Sequence, residues 1–159
     1  MTPIELRRRS MQFAVRVVFF CRILPPTWEA KRIGGQLLDA ATSAAMNYRA
    51  AGRGRSHKEF TAKLGIVVEE TDESLGWLEL IDAVALARGS ELSWLIGESK
   101  ELLAIFGSSY RTAKAKEIRV CQQSRRESVD PQVDPSSINR ESDARRARRS
   151  PDRRSPDLP

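Results

Sequence analysis

The sequence is poor in the side chains that bind metals and catalyse reactions. His57 is its single histidine, and Cys21 and Cys121 are its two cysteines, 100 residues apart. One histidine excludes the paired Glu-x-x-His motifs of di-iron bundles, and so few soft ligands leave no all-protein zinc site. No nucleophile stands in context with a base, so we expect no enzymatic activity, no cofactor and no metal.

The sequence also lacks a long apolar run. The stretch from residue 7 to residue 24 has a basic start and an apolar middle, as a signal peptide does, but Arg16 and Arg22 interrupt it and Pro25-Pro26 follows it. It is shorter than the roughly 20 apolar residues that span a bilayer. We therefore expect a buried helix, and a cytoplasmic protein with reduced cysteines.

Strand-like alternation is missing too, whereas helical periodicity runs through residues 4–116. The predicted helices span residues 4–24, 28–51, 56–88 and 90–116. Pro25-Pro26 ends the first, Thr27 caps the second, and Gly89 separates the third from the fourth. Four amphipathic helices with short connections predict an all-α fold, an antiparallel up-down four-helix bundle.

The core stripes of the last two helices follow from this spacing. The stripe of the third helix comprises Phe60, Leu64, Val67, Thr71, Leu75, Leu78 and Ala85. The stripe of the fourth comprises Leu92, Ile96, Leu103, Phe106 and Tyr110.

Residues 117–159 show no such periodicity. They are rich in Arg, Ser, Asp and Pro, and their final 20 residues contain no aromatic residue and a single leucine. Such a segment cannot bury enough apolar surface to offset its ordering entropy. We predict a bundle at residues 1–116 and a disordered C-terminal tail at residues 117–159.

A second apolar sector lies on the third helix, away from its core stripe. At about 100° per residue, it collects four apolar residues and two glutamates. These are Ile66, Glu70, Glu73, Trp77, Leu80 and Val84. The fourth helix places Trp94 and Ile105 off its core stripe in the same way. Scattered surface hydrophobes are common on monomers, but aromatic residues are enriched at interfaces, so we predict an oligomer interface here.

The segment NYRAAGRGRSHKEF at residues 47–60, which joins the second and third helices, is the stretch that looks most like a binding site. Its glycines do not fit the phosphate-loop pattern and no strand precedes them, so a phosphate loop of that type is excluded. Ser56 and Glu59 have the spacing of a capping box, and His57 is expected to be exposed in the first turn. The predicted nucleic-acid-binding residues are Arg49, Arg53, Arg55, Lys58 and Lys63.

Ser43 and Asn47 lie four residues apart on the second helix, whose small side chains favour close packing. A buried amide between helices must be hydrogen-bonded, and its bonds fix the register of the pair. We predict a structural role for both residues rather than ligand binding.

The sequence resembles the bacterial four helix bundle protein family, whose first members are encoded by intervening sequences in large-subunit ribosomal RNA genes. The matching features are Asn47-Tyr48-Arg49, the Arg-x-Arg-Ser corner at 53–56, Glu59-Phe60, Lys63-Leu64 and the Glu-x-x-Asp-Glu-Ser run that leads to Trp-Leu-Glu-Leu at 77–80. Residues 13–18 look like the first helix of the family and residues 101–114 like its last. The resemblance covers roughly residues 4–116. Gly52 and Gly54 depart from the family pattern, which predicts a looser corner here.

The resemblance implies a four-helix bundle that assembles as a ring-like homopentamer. A related branch, the accessory variability determinants of diversity-generating retroelements, is a basic pentamer that binds RNA and a reverse transcriptase. By this analogy the expected partners are a second copy of the chain, RNA and a reverse transcriptase or other protein, with no membrane.

Two functions are consistent with the sequence. The chain carries 27 basic and 21 acidic residues, a net charge of +6, which favours an anionic partner. The leading hypothesis is a non-enzymatic homo-oligomer that binds nucleic acid, RNA rather than DNA, through the basic corner. The alternative is a protein-binding scaffold in which the same arginines pair with Glu69, Glu70 and Glu73 of a neighbouring subunit.

Overall fold

The computed structural model describes residues 1–129 of the chain, with the side chains of residues 1–125. These residues form four helices: α1 (Pro3–Arg22), α2 (Trp28–Ala51), α3 (His57–Ala83) and α4 (Ser90–Val129). Residues 1–119 make one compact unit, in which the helices pack around a shared core. The predicted all-α four-helix bundle is confirmed.

Local capping signals set the helix starts. The amide of Ala30 donates to the Thr27 hydroxyl at 3.3 Å, so Thr27 caps α2 as predicted. α1 begins with a capping box that the periodicity does not reveal. The amide of Glu5 donates to the Thr2 hydroxyl at 3.2 Å, and the amide of Thr2 donates to the Glu5 carboxylate at 2.6 Å. The hydrogen bond from the Thr2 amide lowers the pKa of Glu5, because it favours the ionised carboxylate.

The core combines large side chains, drawn mainly from α1, α3 and α4, with mostly small ones from α2. The large, fully buried side chains include Phe13, Val17, Leu64, Val67, Leu78, Leu92 and Phe106. The small ones of α2 are Ala40, Ala41, Ala44 and Ala45. Because these alanines are short, α1 and α3 both approach α2 closely along this face.

The core stripe of α4 differs from its prediction by one position in places. Leu92 and Phe106 are buried as expected, but the fully buried positions between them are Leu95 and Leu102. The predicted Ile96, Leu103 and Tyr110 are only half-buried. Because an α-helix has 3.6 residues per turn, the buried face of a straight helix does not follow a fixed residue spacing. It passes to neighbouring positions along the helix, which are then only partly buried.

α3 ends earlier than predicted, at Ala83 instead of near Arg88. The amide of Leu86 donates to the Ile81 carbonyl and the amide of Ala85 to the Asp82 carbonyl, both at 3.0 Å. This is the Schellman arrangement, and it places Ala85 in the left-handed region at φ 54°. Ala85 is therefore an exposed turn residue, and its assignment to the core was wrong.

α4 continues to Val129, beyond the predicted end near Lys116. No glycine or proline occurs between Gly107 and Pro131, and strong helix formers such as lysine, glutamate and arginine fill much of that stretch. The predicted end of the fourth helix near Lys116 is therefore wrong, and residues 117–129 are helical, whereas the division of the chain into a bundle and a tail stays a prediction. The rest of the predicted disordered tail, residues 130–159, lies outside the described residues.

Candidate nucleic-acid interface

The basic corner lies where α2 ends and α3 begins. Gly52 caps α2 at φ −65°, in the ordinary helical region. The amide of Arg53 donates to the Ala50 carbonyl at 2.9 Å, and the amide of Gly54 donates to the Ala51 carbonyl at 3.0 Å. Two consecutive tight turns thus carry the chain from one helix towards the next.

Gly54 makes this corner compact. A Cβ atom at this position would lie 3.2 Å from the Ala51 carbonyl oxygen and 3.3 Å from the Phe60 amide nitrogen, so a side chain would crowd the backbone. The glycine therefore lets the chain pass close to the first turn of α3. The prediction of a looser corner was wrong, because the absent side chain admits close packing rather than leaving a gap.

The start of α3 is anchored in three ways. The Glu59 amide donates to the Ser56 hydroxyl at 3.1 Å, which confirms Ser56 as the cap. The Glu59 carboxylate accepts from the Arg55 amide at 3.0 Å, one residue before the donor that a standard capping box would use. His57 is exposed, as predicted, and its Nε2 lies 2.9 Å from the Ala113 carbonyl oxygen of α4. These bonds hold the corner against α4.

Four of the five predicted binding residues share the same surroundings. Arg49, Arg53, Arg55 and Lys58 are all exposed. Among the residues that the structure describes, none of the four forms an ion pair. The nearest acidic residue in sequence, Glu59, has its carboxylate bonded to a backbone amide. Unpaired cations are therefore displayed at this end of the bundle.

Lys63 is in a different environment from these four. Its ammonium donates to the Asn47 side-chain oxygen at 3.2 Å, and Lys63 is half-buried. The Asn47 amide donates to the Ser43 carbonyl at 3.1 Å, and the Ser43 hydroxyl donates to Glu70 at 2.8 Å. These four residues form a polar network that ties α2 to α3, as predicted for Ser43 and Asn47.

Two further arginines lie at the same end of the bundle. Because α1 and α2 are antiparallel, the start of α1 lies beside the end of α2. Arg7, Arg8 and Arg49 line a shared cleft of about 230 Å³. The sequence reasoning did not assign Arg7 or Arg8 to the interface. Their basic run was visible, but it identifies an interface only once the antiparallel order is applied to it.

The predicted oligomer interface lies along α3. Ile66, Leu80 and Val84 are exposed, whereas Trp77 is half-buried and its indole N–H donates to Glu73 at 3.0 Å. Glu70 belongs to the polar network described above. The half-buried Trp94 of α4 is covered instead by the Arg16 guanidinium, which lies 3.4 Å from its ring centroid.

Ion pairs join α1 to α4. Arg9 donates to both oxygens of Glu98, at 2.5 and 2.8 Å, and also contacts Glu101. Arg16 forms a two-pronged pair with Glu91. These contacts raise the pKa of both guanidinium groups, and the hydrogen bonds from Arg16 lower the pKa of Glu91.

The described part of the chain has neither a metal-ligating cluster nor a helix that could span a membrane. Among residues 1–125, whose side chains are described, no three potential metal-ligating side chains come together. Within residues 1–129, no helix has the length and apolar character that a membrane span requires.

Comparison with solved structures finds proteins that are similar to this chain. One of them is the 1.70 Å crystal structure of a protein of unknown function from the S23 ribosomal protein family of Bacteroides thetaiotaomicron. The TM-score is 0.64 and the sequence identity is 26%, over 70% of this chain and 99% of that chain. No protein-family model and no curated protein matches the sequence. The chain therefore has the fold of this S23-family protein, preserved across nearly all of that protein's length.

Proposed function

We propose that this chain is a non-enzymatic, homo-oligomeric RNA-binding bundle that acts in the cytoplasm. RNA contacts the basic end of the bundle, defined as Arg7, Arg8, Arg49, Arg53, Arg55 and Lys58. The observation that carries the proposal is the exposure of the four corner cations without an ion pair among the described residues. A phosphate backbone supplies the regularly spaced negative charge that such a surface attracts.

Fold similarity adds support of a second kind. The neighbour described above is assigned to a ribosomal protein family. The sequence also resembles the four helix bundle protein family in the corner segment itself. On that resemblance we propose a homopentamer, assembled through the exposed apolar residues of α3, which would repeat the basic end in each subunit.

The scaffold alternative places the corner arginines against the glutamates of a neighbouring subunit. Two of those glutamates already accept hydrogen bonds within the chain: Glu70 from Ser43 and Glu73 from the Trp77 indole. An inter-subunit pair would have to compete with these bonds, so we favour RNA. A double-mutant cycle separates the two ideas. Strong coupling of Arg53 to Glu73 in oligomer stability, with RNA binding unchanged in Arg53→Ala, would favour the scaffold.

The salt dependence of binding measures how many phosphates are contacted. For single strands, each contact contributes about −0.7 to the slope of log affinity against log salt, so six contacts predict a slope of about −4. Removing Arg53 and Arg55 together should reduce that slope by about 1.4. Loss of net charge alone would change it less, because only local contacts release condensed counterions.

The experiment uses the full chain and a fluorescently labelled RNA oligonucleotide, titrated at salt concentrations from about 50 to 200 mM. The test variant is Arg53→Ala/Arg55→Ala. The matched control is Lys31→Ala/Arg32→Ala, which removes the same charge from exposed residues about 30 Å along α2 from the corner. We expect weaker binding and a shallower slope for the test variant alone. No binding at the lowest salt would refute the proposal, and equal losses in both variants would refute the location.

A further inference from the structure

An apolar cleft opens beside the basic end of the bundle. It has a volume of about 340 Å³ and lies among α1, α2, α3 and α4. Its lining includes Ile4, Tyr48, Phe60 and Leu64, with Arg7 and Ser109 as its polar side chains. This volume falls in the range of pockets that hold small organic groups.

The floor of the cleft is built rigidly and its rim is accessible. Leu64 is fully buried, and the Tyr48 ring is packed against the core residue Phe106 with a centroid distance of 4.9 Å. Phe60 is half-buried at the start of α3. Ile4 is 69% exposed at the rim, although it is a large apolar residue on a strongly basic surface. A flat aromatic ligand would cover these side chains.

Arg7 connects this cleft to the charged surface. It lines both the apolar cleft and the neighbouring cleft of about 230 Å³ that it shares with Arg8 and Arg49. A ligand that places an aromatic ring in the first cleft thus has three guanidinium groups within the span of the second. A nucleotide has this arrangement, with its planar base attached through the sugar to a phosphate.

We propose that the apolar cleft receives an unpaired nucleobase while Arg7, Arg8 and Arg49 hold the adjacent phosphates, so that the ligand is single-stranded RNA. The inference rests on the proposed function and narrows its ligand. In a duplex, bases are stacked and paired, and only phosphates and groove edges reach a protein surface. An unpaired base can leave the strand and exchange water for apolar and aromatic side chains, and this contact tolerates any base.

The test compares four ligands on the full chain: a labelled single-stranded RNA, the same RNA with abasic nucleotides, its duplex, and a single-stranded DNA of equal length. Single-stranded RNA should bind on the order of tenfold more tightly than the abasic strand or the duplex. The DNA strand reports whether the sugar contributes, and tight binding of DNA alone would overturn the assignment to RNA.

Two variants alter the apolar cleft and keep all three arginines; Ile4 also lines the arginine cleft, whereas Gly52 lines the apolar cleft alone of the two. In Gly52→Leu, which adds a side chain at the lining, a Cβ atom meets nothing nearer than the Arg49 carbonyl oxygen at 3.8 Å, so folding should be preserved. Ile4→Ala removes the apolar rim. The matched control is Ile23→Ala, an isoleucine that is 74% exposed roughly 28 Å away along α1. Both cleft variants should lose the preference for single strands, whereas the control should keep it.

The results of this experiment distinguish insertion of a base into the cleft from RNA binding itself. Equal affinity for all four ligands, or an unchanged preference in both cleft variants, would overturn base insertion and leave RNA binding intact. Absence of binding to every ligand would overturn both. Thermal melting of each variant verifies folding, and the duplex affinity of the cleft variants serves as an internal standard because it depends on the arginines alone.

Discussion

Substitution of Arg9 by methionine is the most informative change to the stability of the bundle. The Arg9 guanidinium joins α1 to α4 through two parallel hydrogen bonds to Glu98, and it also contacts Glu101. The side chain of Arg9 is 24% exposed and that of Glu98 only 11%. Methionine keeps most of the apolar stem of arginine, so the change removes the charge and little of the packing.

The expected magnitude lies between two limits. Exposed ion pairs contribute about 0.2–1 kcal/mol, whereas removing one partner of a buried pair costs about 3–5 kcal/mol because the other charge is left unpaired. Arg9 and Glu98 are partly buried, so we expect Arg9→Met to lower the free energy of unfolding by about 2 kcal/mol. For a unit of this size, that corresponds to a melting temperature about 8 °C lower.

The double variant Arg9→Met/Glu98→Met tests the physical cause. If the cost arises from the unpaired Glu98 carboxylate, replacing both partners with apolar side chains should restore most of the lost stability. The assay is urea unfolding followed by circular dichroism. The matched control is Lys100→Met, which breaks the more exposed pair between Lys100 and Glu79 and should cost less than about 0.5 kcal/mol. Equal losses for Arg9→Met and Lys100→Met would refute the reasoning.

Two further predictions concern α4 and the end of α3. The hydrogen bonds from Arg16 lower the pKa of Glu91 in the folded state, so its contribution is fully present above the ordinary value of 4.5 and is lost as the pH falls below it. The stability difference between the natural protein and Glu91→Gln, below about 1 kcal/mol for a pair this exposed, should thus shrink as the pH falls below 4.5; a difference that does not change with pH would contradict the assignment. Ala85→Gly should stabilise the protein by about 0.5–1 kcal/mol, because φ is 54° there, whereas Ala83→Gly within α3 should destabilise it by a similar amount. Thermal melting of the two glycine variants decides, and stabilisation by both or by neither would contradict the expected strain.

Much of the fold could be predicted because its signals are local. Pro25-Pro26 and the caps Thr27 and Ser56 mark helix ends by signals within a few residues of the chain. The structure places the starts of α2 and α3 where they were predicted, and the end of α1 two residues earlier, at Arg22. The end of α3 could not be predicted in this way. Its turn depends on Ala85 in a left-handed conformation, which alanine seldom adopts, so the sequence carried no local signal for it.

The candidate site was predictable only in part, because it combines segments that are distant in sequence. The corner cations were recognisable as a local cluster. Arg7 and Arg8 lie near Arg49 only because α1 packs antiparallel to α2, which the local sequence does not show. Lys63 follows the corner in sequence, but its ammonium donates to the side-chain oxygen of Asn47. A half-buried polar group is destabilising without a hydrogen-bond partner, so this contact is favoured over exposure of Lys63 at the surface.

The ion pairs between α1 and α4 did leave a signal. Arg9 and Arg16 are seven residues apart, and Glu91 and Glu98 are also seven apart. On two antiparallel helices, equal spacing of seven brings the first arginine to the second glutamate and the second arginine to the first glutamate, as observed. Opposite charges at the same seven-residue spacing on two antiparallel helices are therefore a pattern in the sequence that indicates this contact.

Apart from Glu59, the acidic residues of α3 lie far from the basic end of the bundle, which therefore stays available to anions. The acidic residues of this helix begin, after Glu59, at Glu69, about 20 Å from the cap Ser56 at 1.5 Å per residue. At physiological ionic strength the screening length is only about 8 Å, so these acids neutralise little of the corner charge. The positive N-terminal end of the α3 dipole and the negative C-terminal end of the α2 dipole meet at this corner and offset each other, so the side-chain charges set its potential. The basic end therefore attracts an anion through the charges of one chain, and assembly would multiply this attraction rather than create it.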